Sequence, residues 1–235
     1  NATALEEVGA RHAGRIAAIV TTPFHHPGYA DMELPEPSFL RGIRRFCDRQ
    51  RAVWILDDVR GGFRHHIGGS HRYFDFTPDL ACYSKAMANG HALSALVGER
   101  RLRPAAAHIF ATGSFWNNPA PMAAALKTIE ILQREQSIPG MLRRGREWID
   151  AFVGLGRRHG LELAASGTPT LPFIRVADDP DFFRQQRLCA FAIEEGVFLH
   201  PHHNWFIGAA HDDAVLEQSL DALDRAIRRF LSAPA

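Results

Sequence analysis

Lysine is almost missing from this chain. Of its 27 Lys and Arg residues only Lys85 and Lys127 are lysine, so arginine supplies the other 25. Lysine is therefore not the general solubilising charge here, and the two exceptions call for a reason. An amine can lose its proton and condense with a carbonyl, whereas a guanidinium stays protonated in proteins. Cysteine is scarce as well. Cys47, Cys82 and Cys189 are odd in number and widely spaced, which argues against a disulfide framework and reads as free, packed thiols in a reducing cytoplasm. A net charge of +1 leaves no basic surplus for nucleic acid or an anionic membrane surface. No apolar run reaches membrane-spanning length, and no signal peptide is recognisable. A G-x-G-x-x-G opening a helix after a strand is also lacking, so there is no dinucleotide fingerprint.

What is present suffices for a globular core: 46% of 235 residues are hydrophobic, enough for one large or two ordinary domains. The chain is organised around Asp57 to Lys85. The run Ala52-Val53-Trp54-Ile55-Leu56 ends in Asp57-Asp58, and Leu80-Ala81-Cys82-Tyr83 ends in Ser84-Lys85. Short apolar runs between polar, glycine-containing loops read as buried strands of a parallel sheet. Ligand crevices of such sheets lie outside the carboxyl ends of the strands, where an acid and an amine would meet. Ile16 to Thr21 reads as another strand and Ser38 to Arg49 as an amphipathic helix, which gives a strand–helix–strand succession. Lys127, amid Leu126, Thr128 and Glu130, reads as a solvated helix residue.

The segments Ile55 to Arg64, Thr77-Pro78-Asp79-Leu80 and Ser84-Lys85-Ala86-Met87-Ala88-Asn89-Gly90 resemble the core signature of class III pyridoxal-phosphate (PLP) aminotransferases, nearest the glutamate-1-semialdehyde aminomutase-like branch. The resemblance implies an α/β fold of the PLP-transferase fold-type I. Residues 1–135 would form part of a mostly parallel, PLP-binding large domain, and residues 136–235 a smaller C-terminal α/β domain. Lys85 would carry the cofactor as an internal aldimine and then act as general base. Asp57 would face the ring nitrogen, and Val59 would pack on a face of the ring, on the side of Asp57 if the extended conformation continues. Asp58 stands where the family usually has glutamate, with a salt-bridged or loop-capping acid as its plainer reading. The segment Ala111 to Pro119 resembles the family stretch whose hydroxyl reaches the cofactor phosphate of the neighbouring subunit. Ser114 takes the usual threonine position, Thr112 is the alternative donor, and the active unit would be a homodimer with shared sites.

The activity so implied is cytoplasmic amino transfer between a small-molecule amino donor and a carbonyl acceptor, by a ping-pong route through pyridoxamine phosphate. The alternatives are an intramolecular aminomutase, a racemase or epimerase, and a catalytically silent fragment or binding subunit. The last is motivated by the match to the family's C-terminal portion only: a chain opening on Asn1 would lack the glycine-serine phosphate loop and the ring-stacking aromatic residue. No metal is expected. His25-His26 read as exposed loop residues, with a substrate contact as the alternative since the resemblance puts this loop near the active site. His65, His66 and His71 read as loop or subunit-contact residues, and His200-Pro201-His202-His203 as a segment near the substrate entrance or an interface. No arginine lies between Arg187 and Arg225, where many family members hold a substrate carboxylate.

Beyond the site, helix is expected from about Met122 to His159 with a break at Pro139-Gly140. Strands are expected at Ala92 to Gly98, Thr170 to Val176, Val197 to His200 and Trp205 to Gly208. A helix should run from Asp179-Pro180 to about Gly196, and a last one from Asp212-Asp213 to Arg228-Arg229.

Overall fold

The computed structural model describes residues 2–110 and 113–234. They fall into two compact units, Asn1–Phe24 with Pro35–Gln136, and His25–Leu34 with Ser137–Ala235. None of the described helices is long and apolar enough to cross a membrane.

The first unit is built on a four-stranded sheet in the order β1 (Ala18–Thr21), β2 (Val53–Asp57), β3 (Leu80–Tyr83) and β4 (Ala95–Gly98). The pairs β1–β2 and β2–β3 are parallel, and β4 turns back antiparallel to β3. Helix α1 (Ala2–Arg11) precedes the sheet, and α2 (Pro37–Gln50) makes the crossover from β1 to β2. Proline at its first turn and Arg51 in the left-handed region at its end delimit α2. Its buried stripe of Leu40, Ile43 and Cys47 packs with Ala52 and Trp54. Helix α3 (Ser70–Tyr73) is a single turn between β2 and β3, while α4 (Arg103–Ala107) and α5 (Pro119–Arg134) follow β4.

One polar group ties β2 to the start of β3. Asp79, 2% exposed, accepts the Trp54 amide through Oδ2 at 2.6 Å. The Arg101 guanidinium meets its Oδ1 at 2.6 Å, and Arg44 approaches Oδ2 at 3.2 Å. Burial alone would raise this carboxyl, but the Trp54 amide and the two guanidiniums outweigh it and hold the group below its ordinary range. A carboxyl held low adds stability above its ordinary range, and that stability is lost as the pH falls through the lowered value. Asp79→Ala will therefore lose about 2 kcal/mol at neutral pH, chiefly by leaving the buried Trp54 amide without its acceptor, since Arg44 keeps Asp48 and Arg101 keeps Glu99. Thermal unfolding at pH 7 and at pH 3 checks this, because the gap to the parent must shrink in acid.

The second unit joins the antiparallel hairpin β5 (Leu163–Thr168) and β6 (Leu171–Val176) to α6 (Ser137–Arg158), α7 (Phe183–Glu194) and α8 (Asp213–Ser232). Trp148, Phe152, Ile174, Leu223 and Ile227 lie at its core. The Asp212 carboxylate caps α8 by accepting the Val215 amide, and Asp179 accepts the Arg184 and Gln185 amides at the start of α7.

Three expectations are corrected. The helix break falls at Gln136, whose φ is 49°, and not at Pro139-Gly140, because Pro139 sits in the first turn of α6, where no amide partner is needed. Neither 197–200 nor 205–208 is a strand. Leu199, Trp205 and Ile207 are buried, and Trp205 N–H donates to Pro172 O at 2.7 Å and Ile207 N–H to Thr170 O at 3.1 Å without forming a ladder. Strand β5 was not expected at all.

Candidate active site

Alternation along β2 sets the two acids apart. Leu56 is buried, Asp57 is exposed, and Asp58 is buried again. Asp57 is in register with Cys82 of the parallel neighbour β3, and Lys85 follows three residues later. The carboxylate and the amine thus stand at the carboxyl ends of adjacent parallel strands.

Lys85 opens a 3-10 turn, Lys85–Ala88, and its φ of 44° is left-handed. A side chain in that region costs about 1–2 kcal/mol that glycine would not. The turn is held from both sides. The Ser84 hydroxyl donates to Leu93 O at 2.7 Å, while Met87 and Ala88 are buried in a cluster with Leu56, Tyr83 and Ala125 of α5. Lys85 itself is exposed. Lys127 forms an ion pair with Glu130 at 2.7 Å, the ordinary surface role expected of it.

The strand stops at Asp57, and Val59 lies in a turn. Alternation therefore does not carry over to Val59, and its link to Asp57 is an amide donating to Oδ1 at 3.2 Å. Ser114 is exposed in the turn before α5, which Asn118 caps by accepting the Ala120 amide. Thr112 lies outside the described residues. A Cβ on Gly113 would stand 2.1 Å from the Trp116 ring nitrogen. Ile109, Phe110, Phe115, Trp116, Met122 and Leu126 are all exposed.

Sequence reasoning missed a buried polar chain beside Asp57. Asp58 has no exposed surface and accepts Ser70 twice, the amide at Oδ2 (2.7 Å) and the hydroxyl at Oδ1 (2.6 Å). His65 Nδ1 lies 2.9 Å from the same hydroxyl oxygen. His65 is 2% exposed, and so is not the loop-surface residue expected. Its ring packs against Phe24, Tyr73 and Phe74. Burial raises the Asp58 carboxyl to about 6, with the charge of Asp57 adding to it and the Ser70 bonds opposing. Burial, then Arg64, lowers His65 to about 4. At neutral pH the acid is therefore ionised and the imidazole neutral. The glycines make room for this arrangement: a Cβ on Gly61 would come within 2.5 Å of Ser70 Oγ, and one on Gly69 within 2.1 Å of the Tyr83 hydroxyl.

Of the other histidines, His200 has its ring 6.0 Å from those of both His202 and His203. The His66 ring accepts the Gly68 amide, the His202 ring stacks on Tyr29 at 4.2 Å, and His203 bonds to Asn204 O. Among the described residues no three His, Cys, Asp or Glu side chains are grouped to hold a metal ion.

Comparison with known proteins gives a consistent picture. The family model described as Aminotransferase class-III matches residues 1–223. The chain is 38% identical over 231 residues to the aminopentol aminotransferase of Sphingopyxis macrogoltabida, covering 98% of this chain and 55% of that protein. It is 32% identical over 212 residues to the 3-aminobutyryl-CoA aminotransferase of Cloacimonas acidaminovorans, covering 88% and 51%. The solved PLP internal aldimine form of the FumI protein from Sphingopyxis sp. MTA144 is similar in structure over the whole chain and 57% of its own, with 38% identity and a TM-score of 0.95. The chain thus spans about half the length of the curated relatives it matches.

Proposed function

Since this chain belongs to the class-III aminotransferase family and carries part of the fold-type I architecture, we propose that it is the lysine-bearing part of a PLP-dependent aminotransferase. The observation that carries this reading is the placement of Asp57 and Lys85 at adjacent strand ends, with Lys85 held in a left-handed conformation. Strain of that kind, kept by a well-packed turn, is a mark of functional positions.

The donor set fits PLP: an exposed amine for its aldehyde and an exposed carboxylate for its ring nitrogen. When bound, PLP supplies a cationic ring that accepts the electrons released at the substrate's amine-bearing carbon. Lys85 anchors the cofactor and, once displaced, moves the proton as a general base. Asp57 would hold the proton on the ring nitrogen, and Val59 would pack against the ring. Ser114, with Thr112 as the alternative, would donate to the cofactor phosphate of a second copy. Phe115 and Trp116, large apolar side chains left exposed next to Ser114, are in keeping with such a homodimer. Residues 1–135 belong to the cofactor domain, apart from His25–Leu34, which pack with the smaller domain of residues 136–235. The widely spaced free thiols suit the cytoplasm.

The substrate is an amine whose amino group is not next to a carboxylate. Two features support this: the arginine-free stretch between Arg187 and Arg225, and a relative named for 3-aminobutyryl-CoA, with its amine on carbon 3. Both curated relatives are named aminotransferases, which favours transfer between two molecules over the aminomutase reading. Adding PLP, reducing with borohydride and mapping the peptide tests the anchor: label on Lys85 is expected, and label elsewhere would sink the assignment. A product that forms only when a carbonyl acceptor is supplied separates the transferase from the mutase.

A further inference from the structure

Asp57 and Asp58 are adjacent in sequence, yet their surroundings are opposite. Among the described residues, the Asp57 carboxylate accepts the Val59 amide at 3.2 Å and the residue is exposed, so its direction leans on the backbone that carries it. That backbone is tied down at the next residue. The Asp58 amide donates to Cys82 O at 3.0 Å, extending the β2–β3 ladder, and Asp58 O accepts the Gly62 amide at 2.8 Å. The buried carboxylate then fastens the turn to α3 through both atoms of Ser70.

Ser70 has one hydroxyl proton. Given to Asp58 Oδ1, it leaves the oxygen to accept, and His65 Nδ1 must be the donor. The polarity of the three groups is therefore fixed from imidazole to serine to carboxylate. Ser70 has no exposed surface, so this Asp–Ser–His set does not present a nucleophile. A carboxylate without solvent is unfavourable to bury, and an apolar or amide side chain would fill the space with less penalty. What a charged, doubly bonded group adds is direction, as supporting shells do for the groups that touch substrate.

We infer that Asp58, locked by Ser70 and His65, is a positioning residue that aims the Asp57 carboxylate at the cofactor ring nitrogen. The inference rests on the proposed role of Asp57. Its test is the protein loaded with PLP carrying nitrogen-15 in the ring, compared with Ser70→Ala and Asp58→Asn. Near-ultraviolet circular dichroism checks that each variant is folded. The parent should show the ring-nitrogen signal of a protonated pyridine. In the variants that signal moves toward the unprotonated position, and kcat for an amine donor falls about 10- to 100-fold while KM changes by less than about twofold, the signature of a misaimed group. A purely structural role would lower stability and leave the ring signal where it was. Should Asp58→Asn not fold, Ser70→Ala, which removes a single hydroxyl, carries the test. An unmoved ring signal in a folded variant overturns the inference and leaves the role of Asp57 standing. An unprotonated ring in the parent overturns both.

Discussion

Lys85→Ala will bind no borohydride-fixable cofactor, and amino transfer will fall by at least about 10⁴-fold, the upper range for loss of a positioned proton carrier. In the proposed function anchoring and proton movement fall on one residue, so both should disappear together. Lys127 cannot stand in for it: it belongs to α5 and is engaged with Glu130. The scarcity of lysine makes the result clean, because Lys127 is the one other side-chain amine in the sequence available to be labelled. Peptide mapping after reduction reads the first loss and a donor–acceptor assay the second. A mutant that kept either would return Lys85 to the status of an ordinary strand-end residue. The fold should survive, since Lys85 is exposed and the turn is held by Ser84, Met87 and Ala88.

Asp57→Asn will keep the cofactor on Lys85 yet lose on the order of 10³-fold in kcat, the scale of removing one preorganised charge from where it stabilises a transition state. An amide occupies the same volume and can still accept the Val59 amide, so geometry is spared while charge is removed. The loss should appear in kcat more than in KM. Turnover within about tenfold of the parent would remove Asp57 from the ring nitrogen. The contrast with Asp58→Asn is informative: one variant removes the charge itself, the other the support that aims it.

How much of this was legible in the sequence follows from what each signal measures. Strand ends bearing an acid and an amine were readable because β2 and β3 are short apolar runs that stop abruptly, and parallel pairing brings their ends together. Alternating hydrophobicity at 197–200 and 205–208 reported burial, which is real for Leu199, Trp205 and Ile207, but not ladder pairing, which needs a partner strand in register. Strand β5 escaped notice because Ala164, Ala165, Ser166 and Gly167 have little strand preference, and it forms through its hairpin with β6. The burial of His65 was out of reach, since it depends on aromatic neighbours as distant in sequence as Phe24. The left-handed turn at Lys85 left no trace in residue type, where glycine or asparagine would be the expected signal.

That last mismatch bears on how the chain has been kept. Lys85→Gly or Lys85→Asn should raise stability by about 1 kcal/mol while ending any chemistry that needs the amine, because both residues accept the left-handed region more readily. Drift under selection for foldedness alone would erase the lysine. On the proposed role of Lys85, its presence at a position the backbone disfavours reflects the need for an amine there, and calorimetry on the glycine variant would measure the stability forgone.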